Sequence, residues 1–126
     1  MDVRVAGPNG YLPDQKIVED AQAIAETTGG SIMVTVDPEQ AVDGVDCIFT
    51  DTWVSMGEEA EYAIRSKPFW PYQVNERLMG LAKPDALFQH CLPAYRGKEV
   101  TTGVIDGRSR WSGMRRKTVC MRRKHC

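Results

Sequence analysis

No apolar run in the chain approaches the roughly 20 residues that a membrane-spanning helix needs. Met1-Asp2-Val3-Arg4 does not open a basic region followed by an apolar stretch, so a secretory signal is not expected. Cysteine is sparse, with four residues at positions 47, 91, 120 and 126 and no CxxC pair. That count argues against a disulfide-rich scaffold. Acidic residues are missing altogether after position 109. Repeats and low-complexity tracts are missing before residue 110. These absences leave the expectation of a reduced, soluble, cytoplasmic protein.

What is present fits one domain. The 126 residues (14.1 kDa) are 42% apolar and 26% charged, enough to bury an ordinary core. A net charge of −1 conceals an asymmetry: residues 1–109 hold 9 Lys and Arg against all 17 Asp and Glu, while residues 110–126 hold 7 basic residues. An acidic globular piece of about −8 is thus joined to a basic tail of about +7.

Periodicity over the acidic part alternates strand and helix. Val3-Arg4-Val5-Ala6 is a short apolar run stopped by Gly7-Pro8-Asn9-Gly10. From Pro13, the residues Ile17, Val18, Ala21, Ile24 and Ala25 recur at helical spacing until Gly29-Gly30. Residues 31–36 and 45–50 read as β-branched strands, with a short helix over 39–42 between them. Helices are expected over 58–65 and 73–81, and a fourth strand over 86–91. This alternation predicts an α/β fold: a Rossmann-like parallel sheet with helices on both faces. The first strand is not followed by Gly-x-Gly-x-x-Gly, which argues against a dinucleotide site.

Ligands of open parallel sheets bind outside the carboxyl ends of the strands. The third strand delivers Thr50-Asp51-Thr52-Trp53-Val54-Ser55-Met56-Gly57-Glu58 there, and the fourth delivers His90-Cys91-Leu92-Pro93. If both strands share a sheet, a carboxylate, a hydroxyl, an imidazole and a thiol meet at one edge. Structural readings compete. Asp51 can cap a turn, Ser55 can cap the next helix, Cys91 can be a small buried apolar residue, and His90 a hydrogen-bonded structural one. As a site, Asp51 suits an ammonium group, and backbone amides around Ser55-Met56-Gly57 suit a carboxylate. No His/Cys/Asp set has metal-ligand spacing on one element, so no metal is expected. A Cys/His catalytic pair is not expected either, because adjacent strand residues point to opposite faces.

TDTWVSMGE and FQHCLPA resemble the ornithine loop and the Cys-containing loop of ornithine carbamoyltransferase, and Pro71 to Met79 (PYQVNERLM) resembles the stretch between them. The aspartate-specific sister enzymes carry HPLPR at the second place, so Cys91 points to ornithine. The resemblance covers about residues 1–109. It implies transfer of a carbamoyl group from carbamoyl phosphate to the δ-amino group of L-ornithine, giving citrulline in arginine metabolism, without cofactor or metal. By this resemblance Asp51 binds the α-ammonium, Ser55 and Met56 fix the amino-acid end, and Cys91 lies by the δ-nitrogen. The backbone carbonyls of His90 and Leu92 accept from the carbamoyl amide.

The departures bear on activity. The family's first domain grips carbamoyl phosphate with a Ser-Thr-Arg-Thr-Arg loop and makes most of the trimer contacts, and that loop is absent here. The chain is expected to be the ornithine-binding domain alone, over 1–109, starting at an internal methionine and inactive by itself. Residues 110–126 read as a frameshifted, disordered tail. Compatible codons read one base earlier give SVVWDEAENRLHAQKAL, the family's usual ending, as though one base were lost at Ser109/Arg110. A nucleic-acid arm is a rival reading of the tail, whose seven basic residues would attract phosphate backbones without sequence preference; a Cys120/His125/Cys126 metal clip is another, and it falls short of a closed zinc site. A non-catalytic ornithine-binding module is the alternative for the whole chain.

Overall fold

The computed structural model describes residues 1–54 and 62–107, apart from the Arg65 side chain. The expectations for Ser55, Met56 and the tail from residue 110 lie outside the described residues. Strands and helices alternate along the chain: β1 (Asp2–Ala6), α1 (Gln15–Thr28), β2 (Ser31–Thr35), α2 (Pro38–Val42), β3 (Cys47–Thr50), α3 (Tyr62–Arg65), a 3-10 turn (Lys67–Tyr72), α4 (Glu76–Leu81), β4 (Leu87–His90) and α5 (Thr102–Ile105). The fold is α/β with parallel strands, as the alternation predicts. Among the described residues the strands form two two-stranded ladders, β1–β2 and β3–β4, not one continuous sheet.

Local chemistry sets the boundaries. Asp14, not Pro13, opens α1, its carboxylate accepting from the Lys16 amide at 2.9 Å. Gly29 closes α1 in the left-handed region at φ 71, and the Gly30 amide returns to the Ala25 carbonyl. Asp37 caps α2 ahead of Pro38. The helix expected from Gln73 begins three residues later. Val74 is extended and bridges Val100, and Asn75 caps α4 by accepting from the Leu78 amide at 3.0 Å.

The core lies under β3 and β4. Ile48, Val74, Ala82, Ala86 and Val100 form one buried cluster, flanked by Phe88, Met79, Val104 and Ile105. Leu78 of α4 is fully buried as well. The other ladder is less enclosed. Val18, Ala21 and Ala25 of α1 are half-buried, while Ile17 and Ile24 are exposed. Several links tie the two halves together. The Tyr72 hydroxyl donates to the Val36 carbonyl at 2.6 Å, Arg77 pairs with Glu39, and the Gly44 amide donates to the Leu81 carbonyl at 2.9 Å. No described helix is long and apolar enough to cross a membrane.

Candidate functional site

Parallel pairing of β3 with β4 builds the site. Thr50 stands opposite His90 in the last rung, so Asp51 and Cys91 follow as the next residues on each chain, just past the carboxyl ends. The condition set by the sequence, that both strands share one ladder, is met. The Cys91 thiol stands beside the Asp51 carboxylate, and hydrogen bonding from it is the main reason the Asp51 carboxyl is held below its usual range. The Thr52 amide, donating at 2.6 Å, adds to the effect. The same thiol–carboxylate bond, with partial desolvation behind it, pushes the Cys91 thiol up. Asp51 is therefore an exposed carboxylate and Cys91 an exposed neutral thiol. An anion backed by a neutral donor suits a cationic amine.

His90 faces the other way, into the protein. Its side chain is 3% exposed and that of Glu99 is 1% exposed. His90 Nε2 lies 3.1 Å from Glu99 Oε1, and His90 Nδ1 accepts from the Leu92 amide at 2.9 Å. Because Nδ1 accepts, the ring proton sits on Nε2 and is donated to Glu99. Leu92 itself occupies the left-handed region at φ 48 and precedes a cis peptide bond to Pro93.

As expected of adjacent residues at a strand end, His90 and Cys91 face opposite ways, His90 inward and Cys91 outward. One ligand-type atom each from Asp51, His90 and Cys91 falls within 4.8 Å of the others. This trio still fits a metal or a Cys/His nucleophile poorly. Both imidazole nitrogens are engaged, one receiving a backbone N–H and one giving its proton to Glu99, which leaves no lone pair for an ion or a thiol proton.

Beyond Asp51 the chain is anchored by aromatic contacts. Trp53 stacks on Phe69 with ring centroids 6.2 Å apart and meets Trp70 edge-on at 5.0 Å; Tyr11, from the loop after β1, meets Phe69 at 4.8 Å. Glu99 is the residue that sequence reasoning missed. A lone acid between Lys98 and Val100 reads as solvated surface, and only the packing shows it buried.

Comparison with known proteins agrees with this geometry. The family model of the aspartate/ornithine carbamoyltransferase Asp/Orn binding domain matches residues 1–112. Over 107 residues the chain is 77% identical to an ornithine carbamoyltransferase of Bifidobacterium longum subsp. infantis, covering 85% of this chain and 33% of the relative. It is 58% identical to one from Leifsonia xyli over the same length, covering 34% of that protein. The structure of ornithine carbamoyltransferase from Pyrococcus furiosus superposes with a TM-score of 0.79 at 52% identity, covering 86% of this chain and 34% of that one. The chain therefore spans about a third of the length of the relatives it matches. It belongs to the aspartate/ornithine carbamoyltransferase family, as its amino-acid-binding domain.

Proposed function

We propose that this chain is the amino-acid half of an ornithine carbamoyltransferase site, binding L-ornithine without turning it over by itself. The observation that carries the reading is the Asp51–Cys91 pair at the paired ends of β3 and β4. Asp51 takes the α-ammonium, and Ser55 with Met56 fixes the amino-acid end. Cys91 stands by the δ-nitrogen, and the carbonyls of His90 and Leu92 receive the carbamoyl amide. In the complete enzyme the neutral δ-amine attacks the carbonyl carbon of carbamoyl phosphate. A C–N bond forms, the C–O bond to phosphate breaks, and the nitrogen gives up a proton. An alkyl ammonium of this kind has a pKa of about 10.4, so the amine must lose its proton before it attacks. Positioning and stabilisation of the tetrahedral intermediate supply the catalysis.

The chain's share of its relatives, about a third, favours binding without turnover. Carbamoyl phosphate carries a dianionic phosphate, whereas residues 1–109 carry about −8. Carbamoyl phosphate and the homotrimer belong to the reading of the longer enzyme. Titration calorimetry with L-ornithine tests the binding. Heat of binding is expected for the natural chain, with affinity reduced at least about tenfold in Asp51→Asn. Equal affinity in the two proteins would remove Asp51 from the site. Citrulline formation at the rate of an intact enzyme would refute the incompleteness.

A further inference from the structure

Glu99 is among the most deeply buried side chains described, yet the groups that bond its carboxylate are an imidazole and a backbone amide. Oε1 accepts from His90 Nε2 at 3.1 Å and from the Tyr95 amide at 2.5 Å. A buried carboxylate is costly unless each bond it makes is specific. What these bonds select is a proton position. With Glu99 accepting at Nε2, the neutral ring carries its proton there and presents a lone pair at Nδ1. That lone pair receives the Leu92 amide. The opposite tautomer would set an Nδ1 proton against the Leu92 amide proton and leave Glu99 without its imidazole donor, with the Tyr95 amide alone. Leu92, held this way, sits at φ 48, where a branched L residue is rarely found.

We propose that Glu99 is a positioning residue for the 91–92 backbone, acting through His90: it fixes the Nε2-protonated ring, whose Nδ1 clamps the Leu92 amide and thereby sets the Cys91 thiol and the neighbouring peptide groups against Asp51. Its consequence for ligand affinity rests on the ornithine reading above; the tautomer and the clamp do not. Arg96 supports the arrangement from outside, pairing with Asp106 through two bonds of 2.6 and 2.8 Å across the segment that carries Glu99.

The test uses the full 126-residue chain labelled with 15N-histidine. It has two histidines, His90 and His125, and a His125→Ala variant assigns the rings. In the natural chain, ring-nitrogen shifts are expected to show Nε2–H with a hydrogen-bonded lone pair at Nδ1, and the Leu92 amide to exchange slowly. An Nδ1–H ring, or a Leu92 amide exchanging as freely as an open loop, overturns the proposal without any variant. Glu99→Leu is expected to abolish the single tautomer, to speed Leu92 exchange at least about tenfold, and to weaken ornithine about tenfold. Glu99→Gln, whose amide oxygen can accept both bonds, is expected to recover the tautomer and the slow exchange. A folded Glu99→Leu chain with the same tautomer and the same Leu92 protection refutes the role. If the natural chain binds no ornithine while tautomer and exchange respond as stated, the ornithine reading fails and the positioning role stands.

Discussion

At the scale of the residue, the bond between Cys91 and Asp51 sets the reactivity of the thiol. A carboxylate that accepts from a thiol disfavours the thiolate, which is the nucleophile. Cys91 is therefore expected to alkylate slowly at pH 8 despite its exposure, and Asp51→Asn to speed it. Peptide mapping by mass spectrometry separates Cys91 from Cys47, Cys120 and Cys126; an unchanged Cys91 rate would show that the carboxylate does not restrain it. The same pair has two pH limbs. Asp51 is depressed, so its contribution to stability is present above its ordinary 3.8 and is lost as pH falls through the lower folded value. Cys91 is raised, so its contribution is complete below its ordinary 9.0 and is lost as pH rises through the higher folded value. Asp51→Asn should flatten the acid limb of a denaturation-versus-pH curve, and Cys91→Ser the alkaline limb. The residue types at these two strand ends were legible in the sequence, and the family resemblance gave them roles. Glu99 was not legible, because its burial depends on tertiary bonds, the Val74 amide to its carbonyl and the Tyr95 amide to its carboxylate.

At the scale of the element, β1, α1, β2 and α2 could be read from the sequence to within two residues, because Gly7, Gly29-Gly30 and Asp37-Pro38 punctuate them. The 3-10 turn over Lys67–Tyr72 and the four-residue α5 are too short to display a period. The early start predicted for α4 failed for a reason particular to Val74, whose amide donates to the Glu99 carbonyl and whose carbonyl accepts from the Thr101 amide. These tertiary bonds hold Gln73 and Val74 out of the helix. α4 in turn depends on a cap and an anchor. Asn75→Ala is expected to cost about 1 kcal/mol through loss of the bond to the Leu78 amide. Leu78→Ala is expected to cost about 3 kcal/mol, since Leu78 is 1% exposed. Urea denaturation measures both, and a Leu78→Ala loss no larger than that of Asn75→Ala would contradict the burial.

At the scale of the whole molecule, stability is divided unequally. The ladder β3–β4 stands on a buried cluster, whereas α1 has no buried residue and leaves Ile17 and Ile24 in solvent. Phe49, 60% exposed, and Leu87, 45% exposed, line the side of β3–β4 opposite Ile48 and Phe88. Hydrogen exchange is expected to release α1 and β1 first and the amides of β3, β4 and α4 last, by at least about tenfold in protection. Uniform exchange across both ladders would mean that the links through Tyr72, Arg77 and Gly44 make the molecule one cooperative unit. The sequence could not show this division. Periodicity tells which face of α1 is apolar but not whether anything lies against it.

The last rung, Thr50 opposite His90, also decides which changes of chain length the site can absorb. Residues 52 to 86 form a detour between two points already tied together, so a lengthened surface turn there leaves Asp51 and Cys91 neighbours. Within β4 the tolerance is a matter of parity. One added residue turns His90 out to the surface and sends its neighbour inward. Two added residues restore the facing but carry Cys91 about 6.6 Å along the strand direction, away from its carboxylate.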